Sequence, residues 1–152
     1  MSVTVKTQEQ NFDVGKELLN LRARQQNQFG AVVSFVGLVR DSSNSKDLIA
    51  LEIEHYPDMT ESSIVEIVRK AENRWDILDV LVIHRVGRLY PSEEIVLVQV
   101  ASPHREKAFE CCEFIMDYLK TDAIFWKRVI TTTGSYYVES SDSDTRRKDR
   151  WD

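Results

Sequence analysis

Lys120, Lys127 and the pair His104-Arg105 are the residues in this 152-residue sequence whose types and spacing suit proton transfer beside a bound anion. Read as a strand, Ile124 to Ile130 puts Lys127 on the same face as Phe125 and Val129. An ammonium on an apolar face either snorkels outward or serves a pocket. Burial and a second cation nearby would both favour the neutral amine, which can act as general base or nucleophile. Lys120 closes a long helical stretch, where a cation is favoured by the carbonyl end in any case. On that ground alone it reads as a C-terminal charge rather than a catalyst.

The anion would be met elsewhere. Natural helices tend to place acids in their first turn, yet here the first turn reads Pro103-His104-Arg105. Unpaired N–H groups and an arginine fork at one helix end make an anion site. Alternatively, Arg105 turns to solvent or pairs with Glu106 or Glu93. Arg40 ends an apolar run before the polar loop DSSNSKD (41–47), and is either a binding group or a solvated strand end. Arg128 adds fixed charge beside Lys127.

Other reactive types are less suited. Cys111 and Cys112 are adjacent, without the spacing of a redox pair or a zinc site. Cys112 falls on an apolar stripe and reads as core, while Cys111 lies off it with no activating neighbour. His55, His84 and His104 are too dispersed for a metal pattern, and His55 and His84 read as structural. No metal and no cofactor are expected. Neither a G-x-S-x-G elbow nor a phosphate-binding G-x-x-x-x-G-K-[ST] loop is present. The net charge of −5 disfavours indiscriminate nucleic-acid binding. No apolar run approaches the roughly 20 residues of a membrane helix, and the first residues lack a secretion signal. A cytoplasmic protein is expected.

The elements that must position these groups can be read from periodicity. Strands are expected at Val3 to Lys6, Leu48 to Glu54, Val80 to Val86, Ile95 to Ala101, Ile124 to Thr131 and Tyr136 to Val138. Gly30 to Val39, a nearly continuous apolar run, suits a central strand covered on both faces. Asp13 caps a helix with the stripe Val14, Leu18, Leu21. Asp58 and Glu61 have capping-box spacing ahead of Ile64, Ile67, Val68, Ala71 and Trp75. The second long helix runs near Pro103 to Lys120, with Ser102 as N-cap, Pro103 as first helical residue, and the stripe Ala108, Phe109, Cys112, Ile115, Met116, Leu119. This pattern gives an α+β fold with a mixed or antiparallel sheet and two long helices. Residues 1–138 form one domain, and 139–152 a polar tail, extended or flexible.

Several of these segments resemble the large subunit of molybdopterin synthase. They are Gly30-Ala31-Val32-Val33-Ser34-Phe35-Val36-Gly37 with Val39-Arg40, and Leu51-Glu52-Ile53-Glu54-His55-Tyr56-Pro57 with Met59-Thr60-Glu61. Ile83-His84-Arg85-Val86-Gly87, Ser102-Pro103-His104-Arg105, Phe114-Ile115-Met116-Asp117-Tyr118-Leu119-Lys120 and Phe125-Trp126-Lys127-Arg128 follow in the family's order. The resemblance covers about residues 29 to 129 and is weak before Gly30 and after Thr133.

The resemblance implies an α/β-hammerhead fold and a homodimer of large subunits, each binding a ubiquitin-like small subunit to give a heterotetramer. The small subunit's C-terminal thiocarboxylate would donate sulfur to cyclic pyranopterin monophosphate, forming the dithiolene of molybdopterin. Lys120 and Lys127 would be catalytic. Arg40, His104 and Arg105 would contact the phosphate or line the pocket, with His104 and Arg105 supplied across the dimer in one arrangement. Arg128 is a weaker candidate for the same pocket. Leu38 stands where many members of the family carry lysine, which leaves backbone contact, with Val39, as its route to substrate. The competing expectations are a module that docks a ubiquitin-like protein without chemistry, which would not need both lysines, and a phosphatase-like or kinase-like enzyme, which the absent motifs disfavour.

Overall fold

A computed structural model describes residues 2–24, 28–40 and 48–152, so the loop 41–47 lies outside the described residues. In chain order the elements are β1 (Ser2–Gln8), α1 (Val14–Arg24), β2 (Ala31–Leu38), β3 (Leu48–His55), α2 (Met59–Glu72), β4 (Asp79–Arg85), β5 (Gly87–Leu89), β6 (Glu94–Ser102), α3 (Arg105–Leu119), β7 (Phe125–Thr131), β8 (Gly134–Val138) and α4 (Asp142–Asp149). They form the expected α+β fold, with the strands divided between two sheets. One has the order β1-β4-β6-β2 and the other β5-β3-β7-β8. Among the described residues only β1 and β4 pair in parallel; every other neighbour is antiparallel.

Valine, leucine and isoleucine fill both faces of β4 and β6, which is why these two strands occupy the middle of the first sheet. Val80, Val82, Val98 and Val100 face α2 and α3, where Ile64, Ile67, Val68, Phe114 and Ile115 complete the main core. Leu81, Ile83 and Leu97 face the other way, against Phe12 and Val14 at the start of α1. Among the described residues, the run expected to be central is instead the edge strand β2, bonded to β6 alone, with Phe35 and Leu38 exposed. Composition reports that both faces are apolar; among the described residues neither the second edge nor all of those side chains are covered.

Two helix starts differ from expectation for local reasons. Ser102 stays in β6, because its carbonyl accepts from Gly30 N at 3.0 Å rather than from the helix. His104, in extended backbone, is the N-cap of α3. At α2 the Asp58-Glu61 capping box does not form: Asp58 has φ 68° and no side-chain cap bond, and Glu61 accepts from the Thr7 hydroxyl instead. In α3, Ala108, Cys112, Ile115 and Leu119 are buried as the stripe requires; Cys111 is buried too, whereas Phe109 is exposed.

The tail is not extended. Ser141 and Asp144 form a reciprocal capping box that starts α4. Arg147 Nε, an Arg150 guanidinium nitrogen and Trp151 Nε1 all donate to the buried carboxylate of Asp117, at 3.0, 3.0 and 2.8 Å. Trp151 then packs edge-on against Trp75 and Phe114.

The two sheets meet where β4 runs through Val86 into β5. Gly87, at φ 87°, supplies a backbone conformation that other residues resist. Arg85 braces this seam by donating to the carbonyls of Glu9 and Glu94.

Candidate active site at the sheet seam

β2 and α3 both start beside Ser102 and run the same way, antiparallel to β6, so their far ends arrive together. Val39 and Arg40 therefore lie toward the end of the fold that carries Lys120, the C-cap of α3. Seven residues later Lys127 sits in β7. The intervening turn is pinned to α2: buried Thr60 accepts from Tyr56 N and donates to Ile124 O, and Ser63 Oγ accepts from Ile124 N. These bonds hold the Lys120–Lys127 segment against the rest of the chain.

Lys127 is partly buried, and its ammonium is pushed down from 10.5 to about 8. Loss of solvent is the main cause, repulsion from Lys120 the second, and Asp144 of α4 opposes both. At pH 7 roughly a tenth of Lys127 is then free amine, against about one part in three thousand for an ordinary lysine. Lys120 itself is exposed. It borders a cleft of about 520 Å³ that also takes in Phe35, Phe109 and Met116, with Asp144 and Arg147 of α4 forming a further wall.

His84 also lies at this seam. Its ring stacks on Phe125 at 4.1 Å, and burial together with Lys127 and then Lys120 drives it down to about 3, against the opposing pull of the Arg85 carbonyl. Its burial and its stack on Phe125 agree with the structural histidine expected from the sequence.

The remaining candidates separate into two groups. Arg40 is exposed beside buried Val39, and Leu38 is exposed at the edge of β2. His104 and Arg105 are exposed and line a second hollow of about 450 Å³ with Gly30 and Pro103. Glu93 pairs with Arg85, not with Arg105. The 15 residues of α3 put roughly 22 Å between His104-Arg105 and Lys120 at about 1.5 Å per residue. Within one chain they do not meet. Arg128 alternates to the opposite face from Lys127 and bonds Glu52 at 2.7 Å, while Arg88 holds the other Glu52 oxygen at 3.1 Å. These two guanidinium groups keep the Glu52 carboxyl below its usual range. Cys111 and Cys112 are buried, and each thiol is pushed up to about 12, chiefly by loss of solvent. Among the described residues no three His, Cys, Asp or Glu side chains cluster as a metal site would need.

A profile of the MoaE protein family matches residues 7–122. The chain belongs to the MoaE family. A molybdopterin synthase catalytic subunit from Ralstonia nicotianae is 51% identical over 148 residues, covering 97% of this chain and 84% of that protein. Among solved structures, a molybdopterin biosynthesis MoaE protein from Burkholderia ambifaria superposes with a TM-score of 0.84 at 44% identity, covering 99% of this chain and 98% of that one. A complex of subunits 1 and 2 of molybdopterin-converting factor from Helicobacter pylori has a TM-score of 0.67 at 20% identity, covering 90% and 89%. That last likeness concerns the fold alone. The MoaE match ends at 122, so Lys127 and all of α4 lie beyond it, whereas the Ralstonia and Burkholderia similarities run through nearly the whole chain.

Proposed function

We propose that this MoaE-family chain is the catalytic subunit of molybdopterin synthase, transferring sulfur from the C-terminal thiocarboxylate of a ubiquitin-like small subunit to cyclic pyranopterin monophosphate. The observation that carries the reading is a lysine whose proton affinity is lowered to about 8 beside a second lysine, in a chain 51% identical to a catalytic subunit. Thiocarboxylate attack and ring opening both move protons and develop negative oxygens. A part-neutral Lys127 can accept a proton, and a charged Lys120 can stabilise an oxyanion or return a proton.

Arg40 at the same end of the fold supplies fixed positive charge for the substrate's phosphate, with the backbone of Leu38 and Val39 beside it. His104 and Arg105 stand a helix length away and serve a neighbouring copy of the chain, as a homodimer within a heterotetramer would allow. Arg128, occupied by Glu52, contributes at most to the field around the pocket. The chain works as one domain in the cytoplasm; none of the described helices is long and apolar enough to cross a membrane.

The test mixes purified protein with the thiocarboxylated small subunit and the cyclic pterin, and measures dithiolene product. Lys120→Ala and Lys127→Ala should each lower turnover by about 10²- to 10⁴-fold, the usual scale for losing a positioned proton-transfer group, with circular dichroism unchanged. Wild-type turnover in both variants would remove the mechanism.

A further inference from the structure

His84 is 5% exposed and its ring packs against Phe125, with the two planes 31° apart. Its Nδ1 lies 2.8 Å from the Arg85 carbonyl. A carbonyl only accepts, so Nδ1 carries the hydrogen and Nε2 is the nitrogen that bears the lone pair. Phe125 and Lys127 project from the same side of β7, two residues apart. The imidazole that stacks on Phe125 therefore stands beside the Lys127 side chain. Across the first sheet His84 and Gly37 are both partnered with Val96, which sets the ring toward the end of β2 that leads into Val39 and Arg40.

The charged groups acting here come from three elements. Lys127 of β7 and Lys120 at the end of α3 both face His84; Lys127 also faces Asp144 of α4. Arg85, next in the chain, has its guanidinium committed to Glu9, Glu93 and Glu94. Among the described residues no carboxylate is one of the groups that shift His84.

We propose that His84 is a positioning residue for Lys127: an imidazole whose Nε2 lone pair offers the amine an uncharged hydrogen-bond acceptor at the seam between the sheets. The inference rests on the proton-transfer reading of Lys127 above. A carboxylate at this place would restore an ordinary ammonium, and a hydrocarbon would leave the protonated amine without an acceptor. A neutral imidazole with a fixed tautomer avoids both. It does not become a third cation, because burial and the two lysines keep it unprotonated down to about pH 3.

The experiment is a substitution series in the assembled enzyme, read as the pH profile of kcat. His84→Phe keeps the stack on Phe125 and removes the lone pair. It should lower kcat by about tenfold with KM within about twofold, and move the acid limb to lower pH, because the ammonium loses its acceptor. His84→Gln, whose amide oxygen can stand in for Nε2, should recover kcat to within about threefold of the parent and leave the limb in place. His84→Glu should move the limb upward by about one pH unit or more. A limb that stays at the parent's pH in both the Phe and Glu variants overturns the proposal and leaves His84 a packing residue.

If these variants fail to fold, ¹⁵N NMR of the unmodified protein decides. The imidazole should remain neutral and Nδ1-protonated from about pH 5 to 9, with an Nε2 signal that moves as Lys127 titrates and stays still in Lys127→Met. An Nε2-protonated ring, or titration near the ordinary value of about 6.5, also overturns it. Full turnover in Lys127→Ala would instead defeat the proton-transfer reading, independently of anything His84 does.

Discussion

Replacing Lys127 with methionine should make the protein more stable at neutral pH while lowering its turnover by about 10²- to 10⁴-fold. Methionine keeps an unbranched stem on the same strand face and removes the partly buried charge. The drop of the Lys127 value from 10.5 to about 8, at about 1.4 kcal/mol per pH unit, means that the folded state carries a penalty of roughly 3 kcal/mol whenever this lysine is protonated. The side chain is only partly buried, so solvent screening reduces this to about 1–2 kcal/mol. For a chain of this size that is a rise in Tm of about 2–8 °C. The sign with pH is fixed. The folded-state value lies below the unfolded one, so the penalty is complete below about pH 8 and is relieved as pH rises toward 10.5. Thermal melts of the parent and Lys127→Met at pH 7 and pH 10 should therefore show a gap that narrows with pH. A methionine variant that melts lower than the parent at pH 7, or a gap of constant size, would show that the amine is solvated or ion-paired with a carboxylate, and the electrostatic basis of the site would be wrong.

Three further outcomes are expected. Asp117→Ala strips three donors of their acceptor and loosens α4 from α3; with Glu113 still holding Arg147 and Arg150, the loss should be roughly 2 kcal/mol, seen as a Tm lower by about 4–8 °C and as earlier proteolysis near residue 139, whereas an unchanged melt would mean that the carboxylate does not anchor the helix. In Gly30→Ala the new Cβ would meet the Pro103 carbonyl oxygen at 1.8 Å and its carbon at 2.7 Å, so backbone must move, with about 1–3 kcal/mol lost in urea denaturation and phosphate affinity at His104-Arg105 reduced. Cys111 and Cys112, buried and held as thiols up to about pH 12, should alkylate at pH 8 at less than about a hundredth of the rate of a free thiol, and both should react at once in guanidinium; fast native labelling of either would contradict their burial.

Long, strongly periodic segments were readable from sequence. The α3 stripe, the apolar runs of β4 and β6, and Lys127 on an apolar strand face each follow from side-chain periodicity, which is local information. What escaped depends on distant partners. The edge position of β2 is set by what fails to cover it, which no pattern within residues 30–39 can report. β5 is three residues long and exists because β3 lies beside it. The α4 segment carries its own start signal in Ser141 and Asp144, but it has no buried residue of its own and is held by ion pairs to Glu113 and Asp117, some 30 positions away. His84 reads as structural because a histidine at the end of a buried strand usually is; its stack on Phe125 depends on the approach of β7, which is distant in the chain. The same distance effect separates the anion-binding candidates: adjacent in motif logic, His104-Arg105 and Lys120 are set apart by the rigid length of α3.

That rigid length carries a genetic consequence. Because each chain would give its His104-Arg105 end to one site and its Lys120 end to another, two different inactive proteins can rescue each other. In a random mixture of Lys120→Ala and Arg105→Ala chains, half of the dimers are mixed; each mixed dimer gathers both defects into one site and leaves the other intact. About a quarter of the sites in the tube should then be whole, from two preparations with none between them.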